Sequence, residues 1–289
     1  MITFSFGRNW LRYVNYIVTE GIIENSKVSL VRFFGEDFIF QNKTFVDIGC
    51  GSGIFSLCAV MLGCKHVISL DVDPKSIEAT RVMQKKFAHL IPHDVVWEVE
   101  EASILDDETV AKWKEKADIL YSWGVLHHTG NLQKAMFNAS CIVKPDGLAY
   151  IALYNKTEAS AWWHKIKSFY NRTNPLMKCL MIVSYTLFLT LEDLRKGRGF
   201  NFYDSTRGMH KITDVIDWLG GLPYEPINVE ETLHQWKAYG FEAFKVLPTK
   251  YHDAVYPQSS LKKWFVYLKC VGLGCNEFLM HKRATECVA

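Results

Sequence analysis

The segment Thr44-Phe45-Val46-Asp47-Ile48-Gly49-Cys50-Gly51-Ser52-Gly53 joins an apolar strand pattern to a loop in which every second residue is glycine. Apolar residues at helical spacing follow directly, from Ile54 to Leu62. A strand, a glycine loop and a helix in succession open a nucleotide-type α/β domain, whose ligand lies at the carboxyl end of the first strand. Glycine suits such a loop because it has no Cβ atom to keep the backbone away from a ligand.

Two features narrow the kind of ligand. The spacing G-x-G-x-G differs from the dinucleotide fingerprint G-x-G-x-x-G, whose third glycine position holds Ile54, and no Gly-Lys-Ser/Thr ending of a phosphate loop is present. A second predicted strand, 66–70, ends at Asp71, where a carboxylate can accept hydrogen bonds from ribose hydroxyls. Asp73, just before Pro74, is instead typical of a helix N-cap.

A fourth predicted strand begins at Ala117 and runs through Trp123 and Gly124 to His127 and His128. Together with the glycine loop and Asp71, it resembles the motifs of class I S-adenosylmethionine-dependent methyltransferases. The resemblance covers residues 40–155, with a return near 229–283. It implies an α/β fold with a Rossmann-like, mostly parallel seven-stranded sheet, helices on both faces and a helical insertion after the fifth strand.

The resemblance also implies the cofactor and the residues that hold it. S-adenosylmethionine would be the methyl donor and S-adenosylhomocysteine the product, while the glycine spacing disfavours an NAD-dependent oxidoreductase. Ser103 and Ile104 stand where the family holds adenine, although many members have an aspartate in place of this serine. The predicted cofactor-binding residues are Asp47, Gly49, Cys50, Gly51, Gly53, Asp71, Val72, Ser103, Ile104 and Trp123.

Candidates for the chemistry follow the fourth and fifth predicted strands. A histidine can take the proton of a hydroxyl nucleophile. Because successive side chains of an extended segment point to opposite sides, we expect only one of His127 and His128 to reach the acceptor. A purely structural role for both stays open. Tyr154, at the end of the fifth strand, is a further candidate for substrate contact.

The segment 200–211 adds aromatic, glycine and basic residues within an insertion that is too long to be a simple loop. Arg207, His210 and Lys211 could neutralise a phosphate or carboxylate of the acceptor. Alternatively, Arg207 pairs with Asp204 or Asp214 and only holds the insertion together.

These patterns divide the chain into four parts. Residues 1–43 form an N-terminal helical lid segment, 44–155 the cofactor-binding core, 156–228 a helical substrate cap, and 229–289 the rest of the core sheet. In the first part Phe6, Trp10 and Tyr13 could touch cofactor or substrate, or could pack on the core.

The run 176–191 is apolar but carries Lys178, and it is shorter than the about 20 residues that a membrane span needs. It therefore predicts no transmembrane segment. The expected partner of this helix is the insertion or a second copy of the chain in a homodimer, with a membrane surface as an alternative.

The composition, 49% hydrophobic and 22% charged over 289 residues, is that of an ordinary globular protein. The net charge of +2 disfavours a nucleic-acid partner. Eight scattered cysteines without a C-x-x-C pair indicate free thiols and no metal site. With no secretory signal pattern at the start, the sequence predicts a cytoplasmic location.

We expect the acceptor to be a small molecule, anionic if the basic residues of the insertion face it. O-methylation of a sugar, surface-glycan precursor or secondary metabolite is the first interpretation. N-methylation is an alternative. RNA modification is another, because some RNA-modifying relatives share a run like Gly124–His128. A third alternative is a non-catalytic subunit that only binds S-adenosylmethionine.

Overall fold

The computed structural model describes residues 5–197, 203–204 and 209–284, and for 203–204 and 209–210 it describes the backbone alone. Two helices precede the sheet: α1 (Gly7–Tyr16) and α2 (Glu20–Phe34). Strands and helices then alternate as β1 (Thr44–Ile48), α3 (Ile54–Met61), β2 (His66–Asp71), α4 (Pro74–Lys86), β3 (Val96–Glu101), α5 (Asp107–Trp113), β4 (Ala117–Trp123), α6 (Leu132–Ile142) and β5 (Val143–Tyr154).

The second half of the chain adds a helical region and the end of the sheet. Its elements are α7 (Ala159–Arg172), α8 (Pro175–Arg195), β6 (Tyr203–Asp204), β7 (Met209–His210), α9 (Lys211–Gly220), α10 (Val229–Ala238), β8 (Phe241–Leu247), α11 (Ser260–Leu268) and β9 (Cys275–Lys282). The short strands β6 and β7 pair only with each other. Helices α7, α8 and α9 thus lie between β5 and the last helix before β8.

Seven of the described strands form one sheet in the order β3-β2-β1-β4-β5-β9-β8. The first five are parallel, and β9 runs antiparallel to both of its neighbours, β5 and β8. This confirms the predicted fold class. Strand β1 lies between β2 and β4, so the connection after β1 leads to one side of it and the connection after β3 leads to the other side. A crevice therefore opens at the carboxyl ends of β1 and β4.

Each face of the sheet is buried under helices. Phe45 of β1 and Leu57 of α3 belong to one apolar cluster, which α1 and α2 extend. Val46 of β1 and Trp236 of α10 belong to the cluster on the opposite face. Neighbouring residues of β1 enter different clusters because side chains alternate across a strand.

The helices after β5 have an apolar core of their own. Trp163 of α7, Tyr185 of α8 and Leu219 of α9 pack together with Tyr256 and Leu273. Lys167 of α7 donates to the carbonyl of Trp218, and Asn171 Nδ2 donates at 2.7 Å to that of Gly220. These bonds satisfy carbonyls at the end of α9 that have no partner within the helix.

Two local predictions differ from the structure. The fourth strand ends at Trp123, and Leu126–His128 form a turn of 3₁₀ helix rather than an extended continuation. Gly124 makes this change of direction with a φ of +76°, a value that favours glycine. The apolar helix α8 is also longer than the predicted run, because Asn174 caps it at one end and it continues to Arg195 at the other.

Candidate cofactor and acceptor site

A cavity of about 970 Å³ lies at the carboxyl ends of β1, β2, β3 and β4. Helix α1 contributes to one wall, and α8 and α9 to another. Its volume is near the upper end of the range for small-molecule sites. One cavity therefore spans the glycine loop, the end of β4 and the helical region after β5.

Gly49 and Gly51 in the glycine loop have no room for a side chain. A Cβ atom on Gly49 would lie 2.4 Å from both methyl carbons of Val125, and the φ of Gly49 is +75°. A Cβ atom on Gly51 would lie 3.0 Å from Nε1 of Trp10. The loop backbone is therefore enclosed between the end of β4 and α1, and its glycines are needed for both space and conformation.

Asp71 lies at the end of β2 with its carboxylate on the cavity. Its Oδ2 accepts a hydrogen bond from the amide of Gly51 at 3.0 Å, and its Oδ1 accepts one from the amide of Asp73 at 2.9 Å. Burial raises the pKa of Asp71 to about 6. A carboxylate has about four acceptor positions, so positions remain for the two hydroxyls of a ribose.

Asp47 lies below the loop and is almost completely buried. Ser56 Oγ donates to Asp47 Oδ2 at 2.5 Å, Ser69 Oγ donates to Ser56 at 2.7 Å, and Trp97 Nε1 donates to Ser69 at 2.8 Å. Burial raises the pKa of Asp47 to about 7. This chain of donors fixes the carboxyl group under the first glycines.

The side chains at the ends of β2 and β3 fit an adenine ring. Val72, which is 68% exposed, and Ile104 both line the cavity. Ser103 lies between β3 and Ile104, and its hydroxyl accepts a hydrogen bond from the amide of Leu105 at 3.1 Å. That bond leaves the Ser103 O–H free to donate, so the hydroxyl and the backbone of this segment are both candidates to contact adenine.

Helix α1 covers the cavity and also packs on the core. Phe6 and Trp10 line the cavity, whereas Tyr13 is buried in the core. Asp73 Oδ2 anchors the start of the helix, because it accepts from Ser5 Oγ at 2.8 Å and from the Gly7 amide at 3.0 Å. Phe6 and Trp10 thus lie where they could touch cofactor or substrate, which stays a prediction, while Tyr13 packs on the core and Trp10 also packs against it.

His128 lies on the cavity wall beyond the glycine loop. Its Nδ1 is 2.5 Å from the carbonyl oxygen of Pro223, and its ring centre is 5.2 Å from that of Phe6. A carbonyl only accepts, so we assign the ring proton to Nδ1, and Nε2 keeps its lone pair. Burial lowers the pKa of His128 to about 3, so the ring is neutral at pH 7.

Tyr154 and Trp218 stand beside His128. The Tyr154 ring centre is 5.5 Å from that of His128 and 5.2 Å from that of Trp218. Burial strongly raises the pKa of the Tyr154 phenol, which therefore stays protonated. Together with Leu222 and Pro223 these rings give this end of the cavity a mainly apolar wall.

Asp217 of α9 lines this end of the cavity. Its Oδ1 accepts from Asn9 Nδ2 at 3.0 Å, and burial raises its pKa to about 8. Lys167 lies nearby, with Nζ 4.0 Å from the centre of the Trp218 ring. Burial lowers the pKa of Lys167 to about 7, while the Asp217 charge opposes that shift.

The structure separates the two neighbouring histidines. His127 is fully buried and does not line the cavity, and its Nδ1 accepts from the Tyr154 amide at 3.3 Å. Only His128 reaches the cavity, although the reason is the 3₁₀ turn and not an extended strand. A proton-transfer role for His127 therefore has no geometric support, and its contacts indicate that it positions the end of β5.

The other predicted site residues divide as follows. Those on the cavity are Asp47, Gly49, Cys50, Gly51, Asp71, Val72, Ser103, Ile104, Trp123, His128 and Tyr154. Gly53 lies outside it as the N-cap residue of α3, and a Cβ atom there would lie 2.7 Å from Cγ2 of Thr80. Arg207 falls outside the described residues, and only the backbone of His210 is described. Binding and catalytic roles for all of these predicted site residues stay predictions.

Sequence reasoning missed Asn9, Lys167, Asp217 and Trp218. A signal was present for Lys167, which lies four residues after Trp163 and three before Tyr170 and so shares their buried helix face. Asp217 and Trp218 lie about one turn after Asp214 in α9. Nothing in the sequence pairs Asn9 with Asp217, 208 positions away.

In the described ranges no group of three or more His, Cys, Asp or Glu side chains could hold a metal ion. The donors that are present fit S-adenosylmethionine instead. Asp71 would hold the ribose, the segment around Ser103 and Ile104 the adenine, and the glycine loop the amino-acid part. The cofactor would supply a methyl group activated on a sulfonium, near Trp123 and His128.

Comparison with known proteins agrees with the family that the sequence motifs resemble. A family profile described as "Methyltransferase domain" matches residues 23–205. The chain is 39% identical over 72 residues to the ribosomal protein L11 methyltransferase of Legionella pneumophila, and the matched part is 24% of this chain and 25% of that protein. The match thus spans about a quarter of the length of this curated relative.

Two solved structures share the fold over most of their length. Magnesium protoporphyrin IX methyltransferase from Synechocystis PCC 6803, solved with bound S-adenosylhomocysteine, superposes with a TM-score of 0.52 at 11% identity, covering 96% of this chain and 94% of that one. A protein from Galdieria sulphuraria described as a putative sarcosine dimethylglycine methyltransferase gives 0.53 at 10% identity, covering 89% and 85%. At such identities the likeness shows the fold alone.

Proposed function

Because the chain belongs to the S-adenosylmethionine-dependent methyltransferase family, with S-adenosylmethionine as its cofactor, we propose that it methylates a hydroxyl oxygen of a small organic acceptor. The observation that carries this proposal is the bond from His128 Nδ1 to the Pro223 carbonyl at 2.5 Å. Because Nδ1 carries the ring proton, the free lone pair belongs to Nε2, at the opposite edge of the imidazole ring. His128 lines the cavity, so this lone pair is the candidate to accept a proton from the substrate. His128 is the proposed general base.

The low pKa of His128 favours oxygen over nitrogen as the acceptor atom. A hydroxyl becomes a strongly acidic oxonium as it gains a methyl group, and even a base with a pKa of about 3 takes its proton. An amine arrives mainly as an ammonium ion and must lose a proton before it can attack. Neutral His128 is too weak a base to do this efficiently.

The surroundings of His128 also suit a neutral acceptor. Trp218, Leu222 and Pro223 offer apolar contact, and Tyr154 keeps its proton. Lys211, one of the residues expected to bind an anionic acceptor, lies 2.7 Å from Asp193 and forms an ion pair with it. The positive charge of Lys211 is thus already neutralised by Asp193. The site therefore does not require an anionic group on the acceptor.

An amine acceptor is the second candidate. It is favoured by Asp217, whose pKa of about 8 matches the removal of a proton from an ammonium ion. The relative from Legionella pneumophila is by name a methyltransferase of ribosomal protein L11. The short match with that protein leaves its acceptor a proposal for this chain.

Two variants distinguish these candidates. His128→Asn keeps a donor toward the Pro223 carbonyl but removes the Nε2 lone pair, and Asp217→Asn keeps the acceptor for Asn9 but removes the carboxylate. The assay offers S-adenosylmethionine with parallel panels of hydroxyl-bearing and amine-bearing acceptors. Binding of S-adenosylhomocysteine, measured by calorimetry, reports whether each variant is intact.

We expect His128→Asn to lower turnover of a hydroxyl acceptor by about 10²-fold, the lower end of the range for general-base catalysis because the pKa of His128 is far below 7, while the affinity for S-adenosylhomocysteine stays unchanged. Asp217→Asn should change that turnover only a few-fold. The reverse pattern, with amine acceptors turned over and Asp217→Asn inactive, would establish the second candidate. Full turnover in His128→Asn would remove the histidine as the base.

A further inference from the structure

The outward face of α8 is an uninterrupted apolar stripe. Leu176, Leu180, Val183, Leu187 and Leu191 are 81, 58, 58, 56 and 56% exposed. The sequence from Cys179 to Leu191 contains no charged residue. Single exposed leucines are ordinary on protein surfaces, but a continuous row along one helix indicates a surface that binds something apolar.

The inward face of α8 belongs to the protein. Tyr185 donates through its hydroxyl to the carbonyl of Leu268 at 3.2 Å, and Leu189 and Asp193 line the catalytic cavity. Among the described helices only α8 is long and apolar enough to cross a membrane, judged by length and composition alone. If α8 crossed a membrane, these contacts would be lost. The stripe is therefore suited to lie on the surface of an apolar phase and not to cross it.

A second exposed apolar group lies next to α8. Val255, Leu261, Trp264 and Phe265 are 95, 70, 44 and 45% exposed, and the last three belong to α11. The end of α11 is joined to α8 by the Tyr185 hydrogen bond and by Lys269, whose Nζ lies 3.4 Å from Glu192. The exposed apolar surface is therefore not limited to one helix.

Basic side chains accompany the second group. Lys262 is exposed and lies two residues before Trp264, and the Nζ of Lys250 is 5.1 Å from the ring centre of Tyr251, itself exposed. Aromatic and aliphatic residues interleaved with lysine are typical of elements that lie in the headgroup region of a membrane. The lysines add attraction to anionic lipids.

We propose that two exposed apolar groups, the α8 stripe and the group of Val255, Leu261, Trp264 and Phe265, bind the surface of an anionic lipid bilayer. The α8 stripe alone would also fit a second copy of the chain. The additional tryptophan, phenylalanine and lysine residues outside the stripe favour a bilayer, because they extend the apolar surface and supply charge complementary to lipid headgroups. The proposal does not depend on which atom accepts the methyl group.

The test is flotation of the full chain with vesicles of phosphatidylcholine alone and of phosphatidylcholine mixed with phosphatidylglycerol. The double variant Leu180→Glu, Leu187→Glu places charge in the stripe, and Lys262→Glu reverses charge beside Trp264. Phe244→Glu is the matched control, since Phe244 is 73% exposed on β8, at the far edge of the sheet. Affinity for S-adenosylhomocysteine and the melting temperature show that each variant is folded.

We expect the wild-type chain to float with the mixed vesicles and bind those of phosphatidylcholine more weakly. The double variant should lose at least about tenfold in vesicle affinity, since two leucines no longer enter the interface. Lys262→Glu should weaken binding to mixed vesicles only, and Phe244→Glu should bind like the wild type. Absence of wild-type flotation overturns the proposal, and so does a dimer in light scattering that the double variant dissociates without any vesicle binding.

Discussion

Asn9 Nδ2 lies 3.0 Å from Asp217 Oδ1 and 3.2 Å from the carbonyl oxygen of Thr213, and these bonds join α1 to α9. Helix α1 carries Phe6 and Trp10 to the cavity, and α9 carries Asp217 and Trp218. The two walls are thus connected directly and not only through the sheet.

Asn9→Ala should therefore loosen the wall that covers the cofactor. Both hydrogen bonds of Asn9 are lost, and since burial raises the pKa of Asp217 to about 8, the carboxyl group is mostly protonated at neutral pH and each bond is worth about 0.5–1.5 kcal/mol. We expect the affinity for S-adenosylhomocysteine, measured by calorimetry, to fall about tenfold. Arg8→Ala is the control, because Arg8 is exposed on the same helix. Equal affinities in the two variants would show that α1 does not depend on Asn9.

A second prediction concerns the contact between α1 and α4. A Cβ atom on Gly7 would lie 2.5 Å from the backbone nitrogen of Ser76, so Gly7→Ala must move α1 away from α4. We expect a lower melting temperature and weaker binding of S-adenosylhomocysteine, because Phe6 and Trp10 move with the helix.

Gly21→Ala is a matched control for this contact. Gly21 lies in α2, and a Cβ atom there would meet only Thr19 Oγ1, at 3.9 Å. Alanine lowers the entropy of the unfolded chain, and we expect it to stabilise the protein by about 0.4–1 kcal/mol. Melting curves that shift in the same direction for both variants would contradict the contact.

A third prediction concerns Asp71. Asp71→Asn keeps the shape of the side chain but removes the charge that we expect the ribose hydroxyls to bind. Hydrogen bonds to charged groups contribute about 1.5–3 kcal/mol each, so the affinity for S-adenosylhomocysteine should fall at least about tenfold. Glu101→Gln is the control, since Glu101 pairs in register with Asp71 but is exposed and lies outside the cavity.

The affinity should also depend on pH through Asp71. Burial raises its pKa to about 6, so the carboxylate takes up a proton as the pH falls through that value. Calorimetric titrations from pH 8 down to pH 5, a range of about one unit or more on each side of that pKa, should show weaker binding at the acidic end. A wild-type profile that is as flat as that of Asp71→Asn would exclude this group as the ligand of the ribose.

The fourth prediction is a pH-dependent stability due to Asp217. An aspartate has an ordinary pKa of about 4, and burial raises the pKa of Asp217 to about 8. Between those pH values the folded state binds a proton that the unfolded state has lost. The contribution of Asp217 to the free energy of unfolding therefore decreases as the pH rises from about 4 to about 8.

Asp217→Asn removes this dependence while keeping an acceptor for Asn9. We expect its free energy of unfolding to exceed that of the wild type by an amount that grows with pH and reaches on the order of a few kcal/mol at pH 8. Urea unfolding at several pH values measures the difference. Asp253→Asn, at an exposed position, should show no such trend. A constant difference would mean that Asp217 is ionised in the folded state.

Local sequence patterns were sufficient to predict the sheet and the cofactor end of the cavity. The apolar strand before Gly49, the glycine spacing and the acidic residue after β2 are local patterns, and each reports a strand end. Parallel strands place their carboxyl ends at one edge of a sheet, so Asp71 and the glycine loop had to lie close together. Local conformation and strand periodicity were enough for this part.

The rest of the site depends on contacts between distant segments of the chain. The choice of His128 over His127 depends on a 3₁₀ turn and on the Pro223 carbonyl, 95 positions away. Asp217 meets Asn9 only because α9 packs beside α1, and its raised pKa results from burial. The exposure of the α8 stripe also depends on tertiary contacts, since its apolar sequence would equally suit a buried helix. Contacts between distant segments decide which polar groups are desolvated and which apolar faces stay uncovered, and no local pattern encodes them.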